Sequence, residues 1–354
     1  MNRTLEPPTR STPDAPTPNL KVRSRPLVAT FLMLGCAVAL VFGLGWSVSV
    51  GAADIELGTV WRAVFTYDAT LSAHQIIQEV RLPRVVVGAM VGASFAVAGA
   101  IMQGMTRNPL ASPSIMGLNA GAAFFLVLAF VLLPGLNYTG LIIASFFGAG
   151  FGAALVFGIG SLSRGGLTPV KLALAGAAVT ALLSSLTTGL VLYFNLAQNV
   201  LFYTAGGLQG TRWEQVQLLL PWFLGALIAA LVLSRSVTVL SLGDEVAKGL
   251  GLRTGLVKAL CTLVVLLLAG AAVAVAGGVG FVGLVVPHVA RFLVGLDYRL
   301  IIPSSALLGA LLLVLADLGA RMLKPPFETP VGLITALIGV PFFLYLARRD
   351  TRGM

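Results

Sequence analysis

The sequence predicts an all-α, polytopic membrane protein of about ten transmembrane helices, and three observations carry that prediction. Hydrophobic residues make up 57 % and charged residues 10 % of the 354 positions, far from the roughly 45–50 % and 25 % of soluble domains. Mean hydropathy is +0.96. Uncharged runs of span length recur along the chain, and most charges fall between them. At roughly 20 residues per span, about ten crossings use up the chain and leave no room for a soluble catalytic domain.

Residues 1–26 hold six of the 18 prolines together with Arg3, Arg10, Lys21, Arg23 and Arg25. This composition reads as a disordered tail ahead of a membrane domain over 27–354. The 24-residue run 27–50 exceeds the roughly 7–15 residues of a signal-peptide core and reads as a retained first span. Further runs lie at 85–106, 114–134, 139–160, 172–194, 215–234 and 259–286, followed by the apolar segments 301–316 and 330–346. The run 259–286 is too long for one span and ends in Gly277, Gly278, Gly280, Gly283 and Pro287. A helix to about Ala276, a glycine-rich turn at membrane depth and a short helix through Arg291 resolve it. Small residues recur at packing spacing, with Gly88, Gly92 and Ala96 on one face of the second span and Gly148 and Gly152 on one face of the fourth.

The net charge of +10 has a topological meaning in such a chain. With a cytoplasmic N-terminus, 17 of the 23 Lys+Arg lie inside, whereas acidic residues divide 6 inside and 7 outside. The bias therefore sits in the cations, as the positive-inside rule requires, and both termini are expected in the cytoplasm. No nucleic-acid partner is implied. Cys36 and Cys261 both lie within apolar runs, far apart in sequence, which speaks against a disulfide framework or a cysteine metal site.

Residues 278–283 spell G-x-G-x-x-G, but a membrane span precedes them instead of a strand and no acidic residue follows about 20 positions on. No G-x-x-x-x-G-K-[ST] occurs, so the chain has no P-loop with which to hydrolyse ATP. His74 and His288 fall in no metal-ligand pattern, and no cofactor or catalytic residue is assigned. Ionisable residues are missing from the middle of spans, and Asp317 with Arg321 reads as an (i, i+4) pair near an outer helix end. What remains is a conduit without an energy source.

One inside loop, 235–258, looks built for a partner. Asp244 and Glu245 favour a helix start, Gly249 and Gly251 can end it, and Val246 and Leu250 share a face with Ala247 and Gly251 beside them. A short helix with a small apolar knob suits a cleft on a soluble protein; an amphipathic linker lying on the bilayer is the alternative.

Longer motifs then carry a resemblance. They are RLPR at 81–84, GAMVGASFAVAGAIMQGMTRNPLASPSIMG ending at Gly117, LALAG at 172–176 and SLGDEVAKGLGL at 241–252. They continue with GGVGFVGLVVPHVARFLVG at 277–295, DYRLIIPSSALLGALLLVLADLGAR at 297–321 and ETPVGLITALIGVPFF at 328–343. As a set, from about residue 60 onward, the chain resembles the permease subunits of the iron-siderophore, haem and cobalamin class of ATP-binding-cassette importers, the type II importers.

That resemblance implies a dimer of ten-span permease chains, identical or paralogous, with two cytoplasmic ATPase subunits and one extracytoplasmic substrate-binding protein or lipoprotein. Arg81, Arg84 and Arg321 resemble the arginines that pair with carboxylates of the binding protein, a task that suits the planar guanidinium fork. The local alternative is that Arg321 satisfies only Asp317 and that Arg81 and Arg84 anchor the second span. Asn108, Pro109 and Leu110 resemble the cytoplasmic gate loop, where Pro109 stops helix continuation; a plain inside turn is the alternative. Gly243, Asp244, Glu245, Ala247, Gly249, Leu250 and Gly251 fall in the stretch that resembles the ATPase-coupling helix. The expected function is import of an iron(III)-siderophore across the cytoplasmic membrane, driven by a separate ATPase, with no covalent chemistry in this chain. Cobalamin or haem as cargo and an ion-coupled secondary transporter are the rival readings.

Overall fold

In the structure, a computed structural model, residues 24–51, 55–162, 169–198, 200, 206–323 and 329–350 are described. Most of the predicted tail, residues 1–23, lies outside them. The chain enters α1 (Pro26–Ser49) and passes through α2 (Leu57–Phe65) and α3 (Ser72–Ile76). A π-turn over Ile77–Arg81 then leads directly into α4 (Leu82–Thr106). After a 3-10 turn at Pro113–Met116 come α5 (Leu118–Leu132), α6 (Tyr138–Ser161), α7 (Pro169–Tyr193), α8 (Trp213–Ser241) and the short α9 (Asp244–Gly249). The chain closes with α10 (Thr254–Ala276), α11 (Val282–Val294), α12 (Tyr298–Leu323) and α13 (Val331–Asp350).

Among the described residues, seven helices are long and apolar enough to cross a membrane: α1, Ser72–Thr106, α6, α7, α8, α10 and α12. Three shorter apolar helices, α5, α11 and the first sixteen residues of α13, account for the other predicted spans. The all-α expectation therefore holds, and no β-strand occurs among the described residues. The second span differs in extent. Its helix begins at Ser72, ahead of the predicted 85, because Glu79, Arg81 and Arg84 interrupt the apolar run without interrupting the helix. The π-turn sits just before Pro83, which has no N–H to donate.

Burial separates a hub from a rim. The Ser72–Thr106 helix is 89 % buried across its apolar window, against 17 % for α1. Small residues make the hub possible. Gly92 of α4 meets Gly309 of α12, and a Cβ on Gly99 would overlap the Gly283 carbonyl of α11. The predicted Gly148 and Gly152 pair lies against Gly117 and Gly121 at the start of α5, the close backbone approach that such spacing permits.

The predicted break after Ala276 is present. Gly277 takes φ 67, ψ −158 and Phe281 takes φ 67, so the chain leaves the helix, turns and re-enters one as α11. α11 runs to Val294, three residues beyond the predicted Arg291.

Contacts between helix ends define the two sides of the bundle. At one end Arg25 N–H donates to Val294 O at 3.0 Å, Thr238 Oγ1 accepts from Tyr298 N at 2.9 Å and Lys258 pairs with Asp244 at 2.5 Å. At the other end Arg321 reaches Ser47 O at 3.0 Å and Trp213 Nε1 donates to Gln78 O at 2.7 Å. Segments that sequence reading assigns to one side of the membrane thus meet one another.

Candidate functional site

At the end holding the C-terminus of α1, the three singled-out arginines gather. Arg84 binds Asp317 with two prongs, Nε to Oδ2 at 3.0 Å and Nη2 to Oδ1 at 2.9 Å. Arg321 Nε lies 3.2 Å from Oδ2 of the same carboxylate and its Nη2 reaches Ser47 O and Oγ. Arg81 Nη1 donates to Val48 O at 2.6 Å and Ser49 O at 2.9 Å. The last carbonyls of α1 have no partners within their own helix, and these guanidinium groups satisfy several of them. Arg81 and Arg84 are each 7 % exposed. All three arginines hold partners within the chain, Arg321 reaching Ser47 and Val50 as well as Asp317, and these contacts tie α1, α4 and α12 together. The pairing of Arg84 with Asp317 is what sequence reasoning missed, because no local signal links two residues so far apart in the chain.

At the opposite end, α4 stops at Arg107, which takes the left-handed conformation at φ 53. Asn108 Oδ1 then accepts from Leu110 N at 2.9 Å and Asn108 O accepts from Ala111 N at 3.1 Å, a side-chain-stabilised turn. Asn108, Pro109 and Leu110 are half-buried. The loop is short and internally hydrogen-bonded, so it is held in shape from both sides.

The Gly243–Gly251 stretch folds as read. Gly243 enters at φ 125, Asp244 and Glu245 occupy the first turn of α9, and Gly251 at φ 80 ends it. Leu252 N–H donates to Ala247 O and Gly251 N–H to Lys248 O, both at 2.9 Å, which is a Schellman stop needing a left-handed residue at Gly251. Leu250 is 67 % exposed and Val246 39 %, whereas Ala247 is fully buried. The knob is therefore Val246 with Leu250, and Ala247 is the foot that seats α9 on the bundle.

Two further cations flank this loop, Lys258 from α10 and Arg107 from the end of α4. Lys258 Nζ lies 2.5 Å from Asp244 Oδ2, and Arg107 Nη1 approaches within 3.4 Å of the position a Gly243 Cβ would take. The Lys258 hydrogen bond, with the nearby charges of Lys258, Arg107 and Lys248, holds the Asp244 carboxyl below the usual carboxylate range. A cavity of about 650 Å³ opens here, lined by Arg107, Asp244, Lys258, Phe157, Leu172 and others. Alongside, Asp297 is lowered chiefly by its hydrogen bond with Arg299 and caps the start of α12. Deeper in, Gln103 accepts from Arg291 at 2.6 Å and donates to Leu284 O at 3.2 Å, bridging α4 to α11 just beyond the chain break. A lone glutamine in an apolar run was the one available signal for that bridge.

Known proteins resemble the chain over nearly its whole length. It is 56 % identical to the iron(3+)-hydroxamate import system permease protein FhuB of Bacillus subtilis (strain 168), covering 94 % of this chain and 86 % of that protein. It is 49 % identical to the Fe(3+)-citrate import system permease protein YfmD of the same organism, covering 88 % and 92 %. Among solved structures, a metal-chelate type ABC transporter in an inward-facing conformation superposes with a TM-score of 0.79 at 30 % identity, covering 90 % of this chain and 99 % of that one. That match carries the type II importer permease fold. With residues 38–349 matching the family as well, the chain belongs to the FecCD transport family.

Proposed function

We propose that this chain is the membrane-spanning subunit of an ATP-driven importer of an iron(III)-siderophore in the bacterial cytoplasmic membrane. The observation that carries the mechanism is the seating of α9 beside the turn after α4. An exposed knob, Val246 with Leu250, faces away from the bundle while Asp244 on the same helix is tied to Lys258 and lies beside Arg107. A push on α9 by a nucleotide-driven partner would thus be delivered to the residues flanking Asn108, Pro109 and Leu110, the cytoplasmic gate. Similarity to hydroxamate and citrate permeases supports the cargo class.

The same reading assigns two ATPase subunits to the cytoplasmic end, a second permease chain across the pathway, and a substrate-binding protein at the opposite end. Both termini are cytoplasmic in this scheme, which the cation distribution and the Arg25–Val294 contact support. The binding protein would sit over the arginine end. For Arg81, Arg84 and Arg321 to take its carboxylates, they must exchange the Asp317 and α1 partners they hold. Replacing all three with Glu and reading both binding-protein affinity and thermal stability separates the roles: lost affinity at unchanged stability supports docking, and a collapse of stability points to the internal role.

The decisive experiment is reconstitution in liposomes. Uptake of iron-siderophore is expected only with ATP, ATPase and binding protein present. Uptake by the purified chain under an ion gradient alone would overturn the proposal.

A further inference from the structure

We infer that α2 is an interfacial anchor, lying along the outer surface of the bilayer with Leu57, Trp61, Val64 and Phe65 set among lipid headgroups and upper acyl chains. Sequence reading counts this segment only as an outside loop. The nine-residue helix has three faces instead of the two a water-exposed surface helix shows. Val60 and Ala63 are buried, in a small cluster with Val48, Ile77 and Val85. Gly58, Thr59 and Arg62 form a polar face, where Arg62 Nε folds back on Gly58 O at 3.4 Å. Between them runs the third face, spaced i, i+4, i+7, i+8: Leu57 is 63 %, Trp61 68 %, Val64 42 % and Phe65 65 % exposed.

Chain arithmetic puts that third face at the membrane surface. α1 has 24 residues, about 36 Å at 1.5 Å per residue, so it spans a hydrocarbon core of about 30 Å and ends at the interface. The chain turns at once, with Ile55 N–H donating to Ser49 O at 2.9 Å. Gln78 Nε2 on Ala63 O at 2.7 Å pins the far end of α2 to the π-turn. α1, against which the buried face of α2 packs through Val48, itself carries outward-facing aromatics, Phe42 and Trp46 being 75 % and 55 % exposed. Trp61 and Phe65 pack with ring centroids 4.3 Å apart, and aromatic residues of this kind favour the headgroup layer. The occupant argued for is therefore the lipid surface, whatever the cargo of the pathway. This inference rests on the membrane reading and is independent of the ATPase.

The test uses the full chain in vesicles of phosphatidylcholine and phosphatidylglycerol. An environment-sensitive NBD label is placed at Phe65→Cys or, on the polar face, at Thr59→Cys; native Cys36 and Cys261 are 7 % and 0 % exposed and out of reach. Blue-shifted emission quenched by lipids brominated in the upper chain is expected at position 65, with aqueous emission at 59. Trp61 as the sole tryptophan, after Trp46, Trp213 and Trp222 are changed to Phe, should lose most of its emission to the same lipids and resist acrylamide. Aqueous emission at position 65, or equal shielding at 59 and 65, overturns the inference. Burial against a partner protein instead would leave position 65 aqueous until that protein is added.

Discussion

Arg84 grips Asp317 across 233 positions of chain, with Nε and Nη2 each within 3.2 Å of a carboxylate oxygen and both side chains under 10 % exposed. Breaking one side of such a pair strands a charge in a low-dielectric site, whereas removing both sides with apolar residues of similar volume costs far less. Asp317→Leu, which takes the carboxylate from Arg84 and Arg321 together, should therefore destabilise the chain by about 3–5 kcal/mol; Arg84→Met leaves Asp317 its Arg321 partner and should cost less, and adding Arg84→Met to Asp317→Leu should recover part of the loss. Thermal unfolding in detergent checks this. Equal losses in single and double variants would mean that the pair is not the unit of stability.

The α4–α11 contact depends on the absence of a side chain at Gly99. Gly99→Val should force the helices apart, at a cost of at least about 1–3 kcal/mol, and should disturb the Gln103–Arg291 bridge one turn away. Gly225→Ala, with open space at its Cβ, serves as the control and should be silent. The comparison is of melting temperatures for the two variants.

Leu250 is exposed and makes no demand on folding, so Leu250→Asp should shift stability by no more than about 0.5 kcal/mol. Its loss should instead appear as about a 30-fold or greater weakening of ATPase binding, the size of a buried interface anchor. Gly251→Val should act differently: it strains a left-handed position and loosens the end of α9 itself. Pull-down affinity set against hydrogen exchange in 243–252 distinguishes the two effects.

The Asp244–Lys258 pair gives the loop a defined pH response. Because the folded-state carboxyl titrates below its unfolded value, its contribution is complete above the ordinary carboxylate range and is lost as pH falls through the lowered value. A spin label at Val246→Cys should therefore stay immobile from about pH 7 to about pH 4 and gain mobility below that. Lys258→Met should move the transition upward in pH. An unchanged midpoint in the variant would show that Lys258 does not hold the carboxylate.

Much of this architecture is legible before folding because its signals are local. The apolar runs, the glycine break after Ala276, the Gly92 and Gly148 faces, and the start and stop of α9 each depend on composition or on spacing within a few residues. The true start of the second span is not legible in that way. An uncharged run ends at Arg84, yet the helix continues through Arg81 and Glu79 to Ser72, because partners for the arginines are supplied by α1 and α12.

Which side chains from distant parts of the chain meet was decided by tertiary structure alone. Sequence spacing offered Asp317 the neighbour one turn away, Arg321, and the folded chain added Arg84 from another helix. It likewise joined Gln103 to Arg291 and Asp244 to Lys258, and turned Ala247 inward and Leu250 outward on one short helix. Hydrophobicity and helix period are properties of neighbouring residues and can be read from their order. A buried charge, by contrast, must be satisfied by whichever group packing brings within about 3 Å, and chain order does not encode that distance.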